Sequence, residues 1–476
     1  MAQIPIISGI NTSISANFIP SSPRNLVPVI QESGISEAYL KLADGISQFG
    51  LFNASIIGAD RGAINWLGRC YRVIGQYFIR VESDGTITIL ATVPVGGYVR
   101  FDYSFDYLAI AINGGLYLWD GAILAQNVDP DLLTVVDMLW IDGYFMTTDG
   151  EFLVVTDLTN PFAVNPLKYG SAESDPDPVL GLLKIRSEVY AMNRNTIEVF
   201  DNVGGSGFPF QRVQGAIVQK GAIGTRTSAV YRGTIAFMGS ARNEQPSVYM
   251  IQGGQAFEIA TREITDLLKN YTEAQLAACL MEVRSHDTLD QLYIHLPNQT
   301  IVYDDVASQL AKQPIWFFLS SGNDGYGIYR AINFVWAYDK WLCGDLIDAR
   351  VIGRIDGLIG DQYGNSVGYQ FDTPISYTEG TGAIVNSIEL VCLTGRPQYG
   401  VVDFVDQSIR HSYSYDGLVW SNPKQKSLGK AGDTTKRVTW TSRGLIRNWR
   451  VDRFQGRTKV PVAFARLEAE YETLNN

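Results

Sequence analysis

The chain has 476 residues, 46% of them hydrophobic, with 46 Gly, 25 Tyr, 21 Phe and a formal net charge of −11. That length buries a large core, and abundant aromatic residues among turn formers favour β-structure over helix bundles. An acidic chain does not coat nucleic acid over its whole surface, and no apolar run reaches the ~18 residues of a membrane span.

Residues 1–40 are rich in Ser, Pro, Ile and Asn with little periodicity, and read as an extended arm ordered only against another surface. The first twenty residues lack the basic and apolar regions of a signal peptide. From about residue 60 a unit recurs: an apolar strand, a tight turn, and a second strand ending in an acid or amide. The second strands are YFIRVE, LYLWD, FLVVTD, TIEVFD, SVYMIQ, TIVYD and VIGRID, ending at 82, 120, 157, 201, 252, 304 and 356. Hairpins recurring every ~40–50 residues are the pattern of β-propeller blades, which bury their faces only against one another. Six to eight blades are expected over 41–365. Residues 262–283, with apolar side chains at helical spacing and a Thr272/Gln275 capping box, predict a short helical insertion. After 365 the repeat stops, and five alternating strands predict a separate antiparallel β-sandwich over 366–476. The fold class is therefore all-β: a degenerate propeller with a helical insertion and a C-terminal sandwich.

Charge is unevenly distributed. Between Arg410 and Arg466 thirteen Lys/Arg face three acids, a net of +10, which leaves −21 on the remainder. Within this basic stretch Lys424, Lys426, Lys430, Arg447, Trp449, Arg450 and Arg453 are candidate contacts for phosphates or an acidic protein surface. Strict alternation does not put arginines 447, 450 and 453 on one face, which weakens a single nucleic-acid stripe.

Catalytic patterns are sparse. The three histidines are His286, His295 and His411. His295 with Asp304 and Asp305 lacks a third ligand at metal spacing and reads as a strand residue. Ser206 lies in VGGSGF, which is not a nucleophile elbow. The acids of SDPDPV (174–179) lack Ca²⁺-loop spacing. Asp120, Asp157, Asp201, Asp304 and Asp356 end successive blades. They would serve a propeller glycosidase if they converged, whereas turn capping alone predicts one acid per strand end. Four dispersed cysteines (Cys70, Cys279, Cys343, Cys392) indicate reduced thiols rather than disulfides or a zinc site. No catalytic residue, metal or cofactor is assigned.

One stretch is more specific. PSVYMIQGGQAFEIATREITDLLKNYTEAQLAACLMEVRSHDTLDQLYIHLPNQTIVYD (246–304) resembles the tail hub, or nozzle, proteins of short-tailed bacteriophages, the packaged-DNA stabilization family. The resemblance rests on SVYMI, GQA, IAT, YTEAQL, MEVR, IHLP and VYD. VQKGAIGT (218–225), TIEVFD (196–201) and NLVPVIQESGISEAYLKLADGISQFG (25–50) match more loosely. The resemblance implies a virion structural protein with no catalytic residues. Such proteins form a homohexameric ring below the portal and its adaptor ring, extend the DNA channel, help retain packaged DNA, and dock a tail needle or plug and tailspikes or fibres. It further implies assembly in the host cytoplasm and passage of DNA without sequence-specific binding. A carbohydrate-active propeller enzyme and a host-receptor-binding module are the alternatives.

Overall fold

The computed structural model describes residues 2–7, 9–10, 23–30, 35–36, 38–51, 55–172, 174–205, 207–286, 289–377, 381–396 and 407–474. They divide into two compact units, Gln48–Val283 with Ala331–Arg354, and Met1–Ser47 with Arg284–Arg330 and Ile355–Asn476. Ser206 lies outside the described residues.

Seven antiparallel sheets of four or five strands follow one another along the described chain. Their first strands are Asp60–Trp66, Arg100–Tyr103, Asp137–Ile141, Val179–Ile185, Gly221–Ala222 with Ser228–Tyr231, Leu280–His286 and Ala331–Ala337. These are the blades, numbered 1 to 7. The turns explain why the sequence breaks where it does. Five blades close a hairpin on two residues that both have positive φ: Leu67–Gly68, Asn113–Gly114, Asp142–Gly143, Arg232–Gly233 and Tyr338–Asp339. Such a two-residue turn matches the right-handed twist of the flanking strands, and in four of the five glycine takes the second position without a Cβ penalty. In blade 6 Leu296 pairs with Gln299, which leaves Pro297 and Asn298 as the turn.

Each blade buries its faces on its neighbours. Trp66, Tyr71 and Phe78 of blade 1 pack with Leu108, Ile110 and Trp119 of blade 2. Leu139, Met146 and Val155 of blade 3 meet Leu182, Val189 and Phe200 of blade 4. Each large apolar side chain buried this way contributes roughly 1.5–3 kcal/mol. The last blade takes a strand from the chain's beginning: Gly45 and Ile46 donate to the carbonyls of Ile359 and Asp361, and Phe49 to that of Ile352.

Among the described residues three short α-helices interrupt the strands: α1 (Arg262–Leu268), α2 (Glu273–Ala277) and α3 (Asp305–Ala311). Thr272 and Gln275 form the predicted capping box of α2. Helix ends earlier than the apolar spacing predicted, because Leu280–Val283 belongs to a strand of blade 6. α3 was not foreseen.

The second unit contains the sandwich. Its seven-stranded sheet holds Ala383–Cys392, Val438–Thr441, Leu445–Ile446 and Ala463–Thr473, together with Ala2–Ile4, Leu26–Ile30 and Ala38–Leu42. Where it is described, the segment read as an arm thus contributes strands to this sheet, with Ile4 paired to Leu467 and Leu40 to Phe464. The facing five-stranded sheet holds Val367–Asp372, Ser376–Tyr377, Ser408–Ser414, Lys424–Ser427 and Trp449–Thr458. Leu26, Leu40, Phe371, Trp440, Phe454 and Phe464 lie in the core between them. The four cysteines are unbridged, and no helix among the described residues is long and apolar enough to cross a membrane.

Candidate functional site

The first place to seek chemistry is where the inner strands of the propeller meet. There polar side chains join one blade to the next. Asp60 of blade 1 accepts from Arg72 Nε at 2.8 Å and from Asn333 Nδ2 of blade 7 at 2.7 Å. Asp137 of blade 3 accepts the Leu182 N–H of blade 4 at 2.8 Å and lies 3.4 Å from Arg100 Nε of blade 2. Glu282 of blade 6 accepts the N–H groups of Asn333 and Phe334 at 3.1 and 2.9 Å. Lys184 donates to Asp102 Oδ2 at 2.7 Å and to the Trp140 carbonyl at 2.6 Å. Burial pushes the Asp137 carboxyl up, and it lowers the Arg226 guanidinium, which sits 4.7 Å from the Tyr98 ring centre.

Of these groups, Tyr98, Arg100, Asp137, Arg226, Glu282 and Asn333 line a cavity of about 190 Å³. A cavity of that size cannot pass a nucleic-acid duplex. Glycoside hydrolysis requires two carboxyl groups free to face a substrate ~5–10 Å apart. Here Asp60, Asp137 and Glu282 are each occupied in tying blades together.

The strand-end acids do not converge either. Asp120 Oδ1 accepts the Ala122 and Ile123 N–H groups at 2.8 and 2.7 Å. Asp356 accepts from Leu358 N–H at 2.9 Å, Asp201 from Asn202 N–H at 2.9 Å, and Asp157 pairs with Lys168 at 3.1 Å. Asp304 is the N-cap of α3 and accepts Ala307 N–H at 2.9 Å. Asp120, Asp356 and Asp304 are turn and helix caps, as the spacing of one acid per strand end implies, whereas Asp157 is an ion-pair partner. In the SDPDPV loop Asp175 pairs with Arg242 at 2.8 Å, and Asp177 accepts the Asn195 and Thr196 N–H groups at 2.5 and 3.2 Å.

His295 is buried in a strand, stacked on Tyr293 with ring centres 6.2 Å apart, and its Nδ1 lies 3.4 Å from Thr300 Oγ1. Asp305 accepts from Tyr303 Oη at 3.2 Å and Gln309 Nε2 at 2.8 Å. Burial, with the nearby Asp290 and Asp305 charges, pushes the Asp304 carboxyl up to about 7. Among the described residues no group of three or more His, Cys, Asp or Glu is placed to hold a metal ion.

The structure separates the seven basic-stretch candidates. Lys424, Lys426, Lys430 and Arg447 are exposed. Trp449 is half-buried, in the strand that pairs with Ser376–Tyr377. Arg453 is held by Asp372 at 2.7 and 3.1 Å and lies 3.7 Å over the Trp420 ring. Arg450 is fully buried, so it leaves the set of exposed contacts. Its Nη2 donates to Asp452 Oδ1 at 2.6 Å and its Nη1 to the Arg443 carbonyl at 2.6 Å.

That ion pair belongs to a buried network the sequence did not disclose. Arg443 Nε donates to His411 Nδ1 at 2.7 Å, and His411 Nε2 lies 2.7 Å from Asp452 Oδ1. Arginine is always a donor, so Nδ1 accepts and His411 is neutral with its proton on Nε2 toward Asp452. Burial lowers the His411 pKa. Burial opposes the Asp452 charge, but Arg450 and His411 hold that carboxyl down at about 2. The only sequence signal was Arg450 and Asp452 two apart on one strand, which places both on one face.

Comparison with known proteins gives the context. Residues 2–359 match a family model described as bacteriophage P22 Gp10, beta-propeller, and residues 368–472 match one described as bacteriophage P22 Gp10, beta-sandwich. The chain is 27% identical over 491 residues to the tail hub protein gp10 of Salmonella phage P22, covering 99% of each. Among solved structures, the N-terminal domain of Nup159 is similar with TM-score 0.41 and 8% identity, covering 71% of this chain and 99% of that one. The Neurospora crassa Pan2 WD40 domain has TM-score 0.41 and 10% identity, covering 66% and 96% respectively.

Proposed function

We propose, from the premise that this chain belongs to the phage P22 Gp10 family of tail hub proteins, that it forms the ring-shaped hub of a short tail, below the portal and its adaptor. The chain is a structural component of a phage tail and not an enzyme, and it assembles with other tail components. The observation that carries the finer reading is that both family models match in succession, over 2–359 and 368–472. In this reading six copies close head to tail into a ring that extends the DNA channel, retains the packaged genome, and docks a needle or plug and tailspikes or fibres.

Two features support the reading. Inner strands tied together by Asp60, Asp137 and Glu282 make a wall that resists shear. Because the cavity at the inner strands is far too small for a duplex, the DNA path lies outside the propeller in this reading, through the middle of the ring. Acidic walls there repel phosphates and let the duplex slide. We assign the wall to residues 41–365 and docking to 366–476, with 1–40 as an arm attached to it. Lys424, Lys426, Lys430, Arg447 and Trp449 are the proposed partner or phosphate contacts. Assembly takes place in the host cytoplasm before the protein resides in the virion.

The test is a two-dimensional class average of the protein assembled on adaptor-bearing portals. Sixfold symmetry is expected. Any other symmetry, or failure to bind the adaptor, overturns the ring.

A further inference from the structure

The charge on this molecule is segregated more sharply than its totals indicate. Residues 101–167, most of blades 2 and 3, contain ten Asp/Glu and no Lys, Arg or His. Their net charge of −10 equals in size the +10 of 410–466. Blades 2 and 3 each have four consecutive antiparallel strands, so in each the turns after the first and third strands lie at the same end. At that end of blades 2 and 3, Phe105, Ile123 and Leu158 are 83, 67 and 56% exposed. Exposed Asp106, Asp120 and Asp142 stand in the same turns. The result is an apolar patch with an acidic rim.

The sandwich carries the opposite arrangement. The loop after Ser408–Ser414 displays Leu418 and Val419 at 61 and 73% exposure. It is rigidly built. Asp416 Oδ1 accepts both their N–H groups at 2.8 Å, Ser414 Oγ donates to the Val419 carbonyl at 2.7 Å, and Tyr415 Oη donates to the Leu445 carbonyl at 2.6 Å. Exposed Lys424, Lys426 and Arg447 follow on adjoining segments. An apolar centre within a charged rim is the anatomy of a protein interface. Preorganised side chains also lose little entropy on docking.

We infer that the Leu418–Val419 tip of one copy docks on the acidic end of blades 2 and 3 of a second copy. The inference rests on the ring proposed above. A ring closed by rotation needs two different, mutually complementary patches on every copy, and these two match in sign and in apolar content.

The test uses two full-length variants added to phage heads made without this protein. One is Lys424→Glu/Lys426→Glu/Arg447→Glu, which makes both patches acidic. The other is Asp106→Lys/Asp142→Lys, which makes both basic. Lysine is tolerable at 142 because Arg232 occupies the same turn position in blade 5 with φ 49°. Each variant alone brings like charges together and should lose attachment by about 100-fold or more. Mixed one to one, every contact in an alternating ring is complementary again, so attachment and infectivity should return; this recovery also shows that both variants fold. Wild-type attachment by either variant alone, or loss without rescue in the mixture, overturns the inference and leaves the ring intact. If the wild-type protein itself does not attach, the hub reading fails instead.

Discussion

Asp304→Asn should stabilise this protein at alkaline pH, although it removes a charged helix cap. Asp304 is fully buried, and its pKa rises from 3.8 to about 7. The folded protein therefore keeps this proton to about pH 7, while the unfolded chain releases it near 4. The unfolded state binds fewer protons between those values, so stability falls as pH rises from 4 to 7. A shift of about three units is worth about 4 kcal/mol at 1.36 kcal/mol per unit. Asparagine is as good an N-cap as aspartate and keeps the bond from Ala307 N–H. Its amide nitrogen takes the place of an Asp304 oxygen that has no hydrogen-bond partner, which offsets about 1–3 kcal/mol. The net gain at pH 8 is about 1–3 kcal/mol, and it turns into a net loss of about 1–2 kcal/mol by pH 4, where the titration contribution is nearly gone while the amide penalty remains. Thermal melts of wild type and variant at pH 4, 6 and 8 check this. Parallel pH dependences, or a variant less stable than wild type at pH 8, would refute the burial argument.

Other outcomes follow from the buried network and the turns. Asp452→Asn leaves Arg450 and Arg443 buried without a counter-ion and should cost about 3–5 kcal/mol in chemical denaturation. Because the wild-type Asp452 carboxyl is held near 2, its contribution is present above about pH 4 and should disappear as pH falls toward 2. Leu67 is 63% exposed with φ 50°, so Leu67→Asn should raise stability by about 0.5–1 kcal/mol, measured by the denaturation midpoint.

The propeller was legible because its information is local. Alternation marks the strands, and Asn113–Gly114 and Asp142–Gly143 mark turns that few other residue pairs make. Leu67–Gly68 and Arg232–Gly233 adopt the same positive φ with residues that do not advertise it. Seven blades fall within the six to eight expected. The pairing of Leu40 with Phe464 was not legible, since no local pattern encodes a partner some 400 residues away. α3 was hidden for the opposite reason: seven residues give too short a period to tell from a loop. Asp304 was correctly read as a cap, but of the wrong element. Among the candidate contacts, Arg450 looked as available as Arg447 because both sit in a basic stretch. The difference is that Asp452 and His411 supply buried partners to one and not the other. Patterns of charge give composition along the chain, whereas exposure depends on which strands become neighbours.

The most direct measurement of the hub account is genome retention in particles assembled without this protein. The account predicts heads that package DNA and then lose it, leaving it open to nuclease, with retention restored by adding the purified chain. Particles that lack the protein yet keep their DNA and infect normally would contradict it.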